Sequence, residues 1–402
     1  MNYKEIKACR ICGNYNLTPI LSLGDLFLTS VFPKTKEEYV VKAPLDLVKC
    51  EGSPFSCCNL VQLKHTVDRK LLYGDNYGYK SSLNPSMVKH LKEIVDTALD
   101  YVKLKKNDVV VDIGSNDCTL LKLFPKCKKI GIDPIGKFFV HYPKDVEMYE
   151  SFFEDCKNFV PKAKVITSIA MLYDLEDPLR FFFDVKDCLT EDGIWITEQS
   201  YFPLMVQNSS FDTICHEHLE YYCIQQIRYM ADIAGLKIIE ISVNETNGGS
   251  FQVVMCKKEN RDYPEELIDD MFVNLTTNFY EGFSKRVNRI KKTMQDTLRN
   301  IPRHNLIFGY GASTKGNVIL QYCGIDHRLI STIGEVNKEK WGCFTPGTHI
   351  PIISEEEAKK MKPDFFLVLP WHFKDFIIKK EKLFIKNGGK FIFPIPYPTI
   401  FG

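Results

Sequence analysis

No stretch of this sequence approaches the ~18 consecutive apolar residues that a membrane-spanning helix needs. The opening Met1-Asn-Tyr-Lys-Glu-Ile-Lys7 has no apolar core of signal-peptide length. A cytoplasmic protein without a membrane partner is therefore expected. An excess of charge of one sign is lacking too. The 52 Lys and Arg against 51 Asp and Glu leave a formal net charge of +1, so no broad field favours nucleic acid or anionic lipid, and any anionic ligand has to be met locally. Internal repeats and low-complexity tracts are also missing. The 14 cysteines are scattered through a long chain without a signal, which argues against a secreted disulfide scaffold. Most should be reduced, and a few should hold metal.

What is present is alternation. At 402 residues the chain exceeds one ordinary core, and two or three domains are expected. Residues Cys9 to Leu63 carry short strands, turns and the clustered cysteines. Apolar residues then recur at helical spacing from Leu91 to Val102. Strands are predicted at Val109–Ile113, Lys129–Ile132, Val165–Ser168, Gly193–Glu198 and Phe251–Cys256, as in a parallel, doubly wound sheet. Residues Tyr263 to Arg299 read as a long connecting helix or helix pair. A second alternation follows: strand Leu306–Phe308, helix Thr314 to Tyr322, strand Leu329–Gly334, helix Glu355–Met361, strand Phe365–Leu369, helix Phe373–Lys386 and strand Lys390–Phe393. It predicts a smaller Rossmann-like domain. The division expected is 1–66, 67–260, 261–300 and 301–402, all within an α/β fold class.

Four constellations carry chemistry. Cys9-Arg-Ile-Cys12-Gly13 is followed by Cys50 and the pair Cys57-Cys58. Two thiolates two residues apart grip one tetrahedral ion from a tight turn, and a second pair closes the site. Structural zinc is expected on Cys9, Cys12, Cys50 and Cys58, with Cys57 as the alternative fourth ligand. In Val110-Val-Asp112-Ile-Gly114-Ser115-Asn116-Asp117 a buried strand feeds a small-residue turn, and Gly131-Ile-Asp133-Pro134 ends the next strand. The acid there can accept hydrogen bonds from ribose hydroxyls. One glycine and several acids stand where a dinucleotide fold wants Gly-x-Gly-x-x-Gly, which favours a cationic or neutral nucleoside over a pyrophosphate. S-adenosylmethionine (SAM), a sulfonium with an amino-acid group and adenosine but no phosphate, has that polarity. Ser168-Ile-Ala-Met-Leu-Tyr-Asp174 is expected to wall the same pocket, with Ser168 among the cofactor residues.

The segment Asp212-Thr-Ile-Cys-His-Glu-His-Leu-Glu-Tyr-Tyr222 packs imidazoles, carboxylates and phenols into eleven residues. The metal-binding spacing His-Glu-x-x-His is absent, so His216, Glu217 and His218 are read as acid/base groups. A glutamate within reach of an imidazole can raise its basicity, so that it removes a carbon-bound proton near neutral pH. Tyr79, in Asn76-Tyr-Gly-Tyr-Lys-Ser-Ser82, is a candidate phenolic partner. Last, Phe308-Gly-Tyr310-Gly-Ala-Ser-Thr-Lys315-Gly-Asn317 is a strand-to-helix glycine turn whose backbone N–H groups, with Lys315 beside them, can hold a diphosphate. A purely structural turn is the alternative, because the segment matches neither the Walker A spacing nor the dinucleotide fingerprint.

These motifs, together with Leu60-Val-Gln-Leu63 and Thr345-Pro-Gly-Thr-His-Ile-Pro-Ile352, resemble in order and number the SAM-dependent C-methyltransferases that act on nucleotide-bound 4-keto-deoxysugars. The resemblance covers nearly the whole chain. It implies a zinc-binding N-terminal domain, a class I methyltransferase domain holding SAM, and a Rossmann-like C-terminal domain that helps bind the nucleotide sugar. It implies His218 as the base removing the proton alpha to the ketone, Glu217 as its support and Tyr79 near the sugar. Substrate contacts are expected from Tyr222, Asn247, Tyr310 and Lys315, and a monomer or weak homodimer is expected. Three positions depart from the family pattern: Cys118 where glycine is usual, Cys215 where tyrosine is usual, and Asp174 where a histidine can stand. Methylation of a sugar oxygen by the same base, or a binding protein that has lost methyl transfer, are the alternative functions.

Overall fold

Val109–Ile113, with sequence VVVDI, is buried at all five positions, as a strand covered on both faces must be. It lies inside a seven-stranded sheet whose order is Leu236–Asn244, Ser250–Lys257, Leu189–Ser200, Ala163–Ile169, Val109–Ile113, Lys128–Asp133, Val146–Glu150. The last five run parallel, whereas Ser250–Lys257 is antiparallel to both of its neighbours. This is the expected Rossmann-like sheet of class I methyltransferase type. The computed structural model describes residues 2–53, 57–73, 79–136, 142–260, 262–266 and 277–402. Residues 76–78 of the predicted Tyr79 segment and 267–276 of the connecting helix lie outside these.

Helix Pro85–Tyr101 begins where Asn84 accepts from the Ser86 N–H, with proline at the first position, where a missing N–H costs nothing. Its buried stripe, Met87, Leu91, Ile94, Val95 and Ala98, follows the helical period and packs on one face of the sheet. The C-terminal sheet repeats the plan. Its order is Ile352–Ser354, Ile333–Glu335, Ile307–Tyr310, Phe365–Val368, Lys390–Phe393, Thr399–Phe401, parallel except for the last strand. Helix Thr314–Cys323 docks this unit on the N-terminal sheet: Asn317 Nδ2 donates to Thr29 O at 2.7 Å, and Gln321 bonds both backbone groups of Phe27.

Several predicted boundaries are corrected. The connecting helix is Thr277–Asn300, and residues 262–266 are not helical because Pro264 breaks the ladder. The strand expected at Leu329–Gly334 is only Ile333–Glu335. The helix expected at Phe373–Lys386 divides into Lys374–Lys380 and Lys382–Lys386 at Glu381, whose carboxylate accepts from Lys359 and Tyr310. The division at residue 66 is also too simple. Strand His65–Val67 pairs with Tyr3–Glu5, and Glu220–Tyr221 joins the N-terminal sheet in the order Glu220–Tyr221, Val61–Leu63, Lys42–Cys50, Leu17–Phe27. Among the described residues, no helix is long and apolar enough to cross a membrane.

Candidate active site and metal centre

The C-terminal ends of both sheets, together with the N-terminal domain, enclose one cavity of about 1120 Å³. It exceeds the ~300–1,000 Å³ usual for a single small ligand, so two ligands can lie side by side. Its first end is built from Asp112, Gly114, Ser115, Asn116, Asp133 and Pro134. Gly114 takes φ +76°, and a Cβ there would come within 3.2 Å of Met171, so only glycine keeps the turn open. Asp133 accepts from Asn116 N at 2.8 Å and Ile135 N at 2.9 Å. Asp112 accepts from Thr167 Oγ1 at 2.6 Å. Burial pushes the Asp112 carboxyl up to about 7 and that of Asp133 to about 6, with these hydrogen bonds pulling the other way.

Carboxylates and backbone groups form this donor set, and it fits a cationic nucleoside without phosphate. A consequence follows for pH. A cation binds the ionised carboxylates, and lowering the pH through 7 and 6 protonates them. SAM affinity should therefore weaken on going from about pH 8 to pH 5, and calorimetric titration across that range checks it.

Two expected cofactor residues stand apart. Ser168 is buried and accepts from Trp195 Nε1 at 2.9 Å, so it braces the sheet beneath the cavity. Asp117 is outside the lining: it caps Thr119 and accepts from Ser82 N at 3.2 Å. With Asn116, which exchanges hydrogen bonds with Tyr79 O and Ser81 N at 3.1 Å each, it straps the segment bearing Tyr79 to the turn. Tyr79 itself is 47% exposed and lines the cavity. Cys118 adopts φ 60°, ψ 22°, the left-handed conformation that glycine takes freely and that costs other residues roughly 1–2 kcal/mol.

In the segment from Asp212, the structure separates the two histidines. His218 lines the cavity. Its Nδ1 lies 2.8 Å from Thr213 O, and because a carbonyl only accepts, Nδ1 carries the proton and Nε2 keeps the lone pair. The Tyr173 ring packs against it at 4.2 Å between centroids. His216 is corrected to a structural role: it is buried, lies outside the lining, and its Nε2 donates to Ala43 O at 3.1 Å. Tyr222 is likewise buried away from the cavity, on the side of Glu220, Arg10 and the cysteine cluster, and cannot touch substrate.

The expected support of His218 by Glu217 is not formed either, because the imidazole's proton goes to a backbone carbonyl instead. Burial, with Lys315 adding repulsion, lowers His218 to about 3. Glu217 lines the cavity, and burial raises its pKa, with Ser30 and Cys215 beside it pulling the other way. Cys215 is fully buried beside Glu217 and Asp174, which holds it as a thiol.

The second end of the cavity carries Asn247, Tyr310 and Lys315. The turn after Ile307–Tyr310 opens helix Thr314–Cys323, whose cap Ser313 accepts from Gly316 N at 2.9 Å. The Lys315 ammonium donates to Asn247 O at 2.9 Å and has no carboxylate within ion-pairing distance among the described residues. Glu335 accepts from Ala312 N at 2.6 Å and Asn337 N at 2.7 Å, as Asp133 does in the first sheet. Residues missed from the sequence also line the cavity. Glu198 is bonded to His90 at 2.6 Å and Asn244 at 2.9 Å. His372, next to Trp371, whose Nε1 bonds Asp212 at 2.8 Å, is kept neutral by burial and by Lys315. The position of Glu198 at the end of a sheet strand was an available signal; His372 had none.

The sulfurs of Cys9, Cys12, Cys50 and Cys58 all lie within 4.8 Å of one another, and the Cys9–Cys58 and Cys12–Cys50 pairs are 3.5 Å apart. A Zn–S bond of ~2.3 Å in a tetrahedron needs sulfurs about 3.8 Å apart, so the set fits zinc with no position left open. Cys57 points instead to Asn59 Oδ1 at 3.7 Å, which decides the fourth ligand. Gly13, at φ +71°, closes the turn by donating to Cys9 O at 3.0 Å.

The family described as "C-methyltransferase C-terminal domain" matches residues 245–396, and that described as "Putative zinc binding domain" matches residues 9–73. The C-methyltransferase NovU of Streptomyces niveus is 28% identical over 414 aligned residues, spanning 99% of this chain and 97% of its own. The chain is thus similar to a C-methyltransferase along nearly its whole length. Solved methyltransferases overlay part of it. A SAM-dependent methyltransferase from Clostridium acetobutylicum is 13% identical with a TM-score of 0.36, covering 42% of this chain and 92% of its own. The plantazolicin methyltransferase BpumL, in complex with SAH, is 9% identical with a TM-score of 0.35, covering 42% and 82%. The fold rests on the strand order, and the four clustered cysteines fit zinc.

Proposed function

We propose that this protein methylates the carbon alpha to the ketone of a nucleotide-linked keto-deoxysugar through an enolate. One observation carries the reading: a single cavity has buried acids at one end, at the other a lysine in the first turn of a helix with no carboxylate partner among the described residues, and a neutral imidazole on the wall. The acidic end suits SAM, which when bound supplies an electrophilic methyl group. The Lys315 end suits a diphosphate, held by the ammonium and by backbone N–H groups at the helix start. His218 Nε2 then takes the proton next to the carbonyl, and the walls hold the carbanion and the methyl in line.

The low basicity of His218 in the free protein fits this scheme. A phosphate beside Lys315 neutralises one of the two influences that depress the imidazole, so the substrate strengthens its own base. In the Lys315→Met protein His218 should titrate higher. A base works only when unprotonated, so the acid limb of kcat/KM should move to higher pH, with a rise in KM. A pH–rate profile checks both. The substrate class is tested by mass spectrometry of nucleotide-linked 4-keto-sugars incubated with enzyme and SAM. Gain of one methylene unit supports the reading, and no product from any member of the panel overturns it.

A further inference from the structure

The segment bearing the proposed base is anchored on the metal-binding domain at several points. His216 bonds Ala43 O at 3.1 Å. Leu219 O accepts from Leu63 N at 2.8 Å. Glu220 and Tyr221 pair with Gln62 and Val61 as a fourth sheet strand, and Gln226 Nε2 donates to Cys58 O at 2.6 Å. The segment also reaches the SAM domain, through Leu219 N to Tyr173 O at 2.7 Å, the Tyr173 ring on His218, and Phe202 N to Tyr222 O at 3.0 Å.

At the junction stands Arg10, between the metal ligands Cys9 and Cys12. Its Nη1 donates to Leu63 O at 2.7 Å and Gln62 Oε1 at 3.3 Å, and reaches Leu219 O at 3.5 Å. Its Nη2 donates to Thr66 Oγ1 at 2.8 Å, and its Nε pairs with Glu220 at 3.5 Å, with side-chain exposures of only 4% and 0%. A guanidinium is a rigid planar fork. Flanked by two of the four clustered cysteines, which a bound zinc would fix in place, it holds the strand immediately after His218 in register.

We propose that Arg10 is a positioning residue through which the cysteine knuckle sets where His218 stands relative to the SAM methyl. This rests on the reading of His218 as the base. The metal centre then has a role in catalysis although it touches no substrate. A misplacement of about 1 Å at a reacting centre costs on the order of 10²-fold, whereas the residues proposed to hold SAM lie on strands that Arg10 does not bond.

The test compares Arg10→Ala, Arg10→Lys and Glu220→Gln in the full chain, each assayed for zinc content, SAM affinity, kcat and the pH–rate profile. Arg10→Ala should lose about 10- to 100-fold in kcat, with SAM affinity within roughly twofold of the parent and one zinc retained. Its pH profile should keep its shape at a lower plateau, because the base is unchanged. Glu220→Gln, which keeps the hydrogen-bonding shape, should retain most of the rate, and Arg10→Lys should fall between. Parent-like kcat in Arg10→Ala overturns the proposal. So does a loss of rate that tracks loss of zinc and is restored by adding zinc, because Arg10 would then serve only the knuckle. His218→Ala separates the two ideas: if it is inactive while Arg10→Ala is fully active, positioning alone has failed; if it turns over normally, the base reading has failed.

Discussion

The His218→Ala protein should turn over substrate roughly 10²- to 10⁴-fold more slowly, the usual contribution of a positioned general base, while binding SAM as the parent does. The asymmetry follows from where the groups sit. Asp112 and Asp133 stand at the ends of adjacent parallel strands, and among the described residues their partners are Thr167, Asn116 and Ile135 rather than the segment carrying His218. Exchange of the substrate's alpha proton with deuterated solvent, measured without SAM, isolates the step. Parent enzyme should exchange and His218→Ala should not. Exchange surviving in the variant would assign the base elsewhere, with Glu217 as the nearest candidate, whereas no exchange in the parent but continuing methylation would point to oxygen as the acceptor.

Removal of the metal should have an effect of comparable size, on stability. Four thiolates within 4.8 Å repel one another once deprotonated, and structural zinc contributes on the order of 10 kcal/mol of apparent binding energy to such sites. Treatment with a chelator should release amide protection across strands Leu17–Phe27, Lys42–Cys50 and Val61–Leu63, lower the melting temperature and abolish turnover. Cys58→Ser should reproduce this, and Cys57→Ser should not. Hydrogen exchange with and without chelator checks both. Protection unchanged after complete metal loss would mean that the sheet's own core suffices.

Much of the fold was legible because its signals are local. Runs such as VVVDI, and the exact match at Lys390–Phe393, announce buried strands by composition. The short strands Ile352–Ser354 and Thr399–Phe401 offer too few residues for a period. The break at Glu381 arises from partners at Lys359 and Tyr310, which no local window contains. The site divides in the same way. The cysteine ligands and the turn at Gly114 follow from spacing. That His218 faces the cavity while His216 faces Ala43 depends on which side of one extended segment meets which domain, and both imidazoles look alike in sequence. Arg10 was hidden between two conspicuous cysteines, because its partners lie 52 or more residues away. His372 likewise became visible only when the sheets were in place.

The strand Glu220–Tyr221 has a practical bearing on enzyme design. Chimaeras between relatives are commonly cut at apparent module boundaries, and a cut near residue 66 looks natural here. Such a graft would leave the edge of one parent's small sheet facing the other parent's active-site strand. A recombinant that moves residues 9–67 should therefore carry 212–226 with it, as two separated pieces of one exchangeable block.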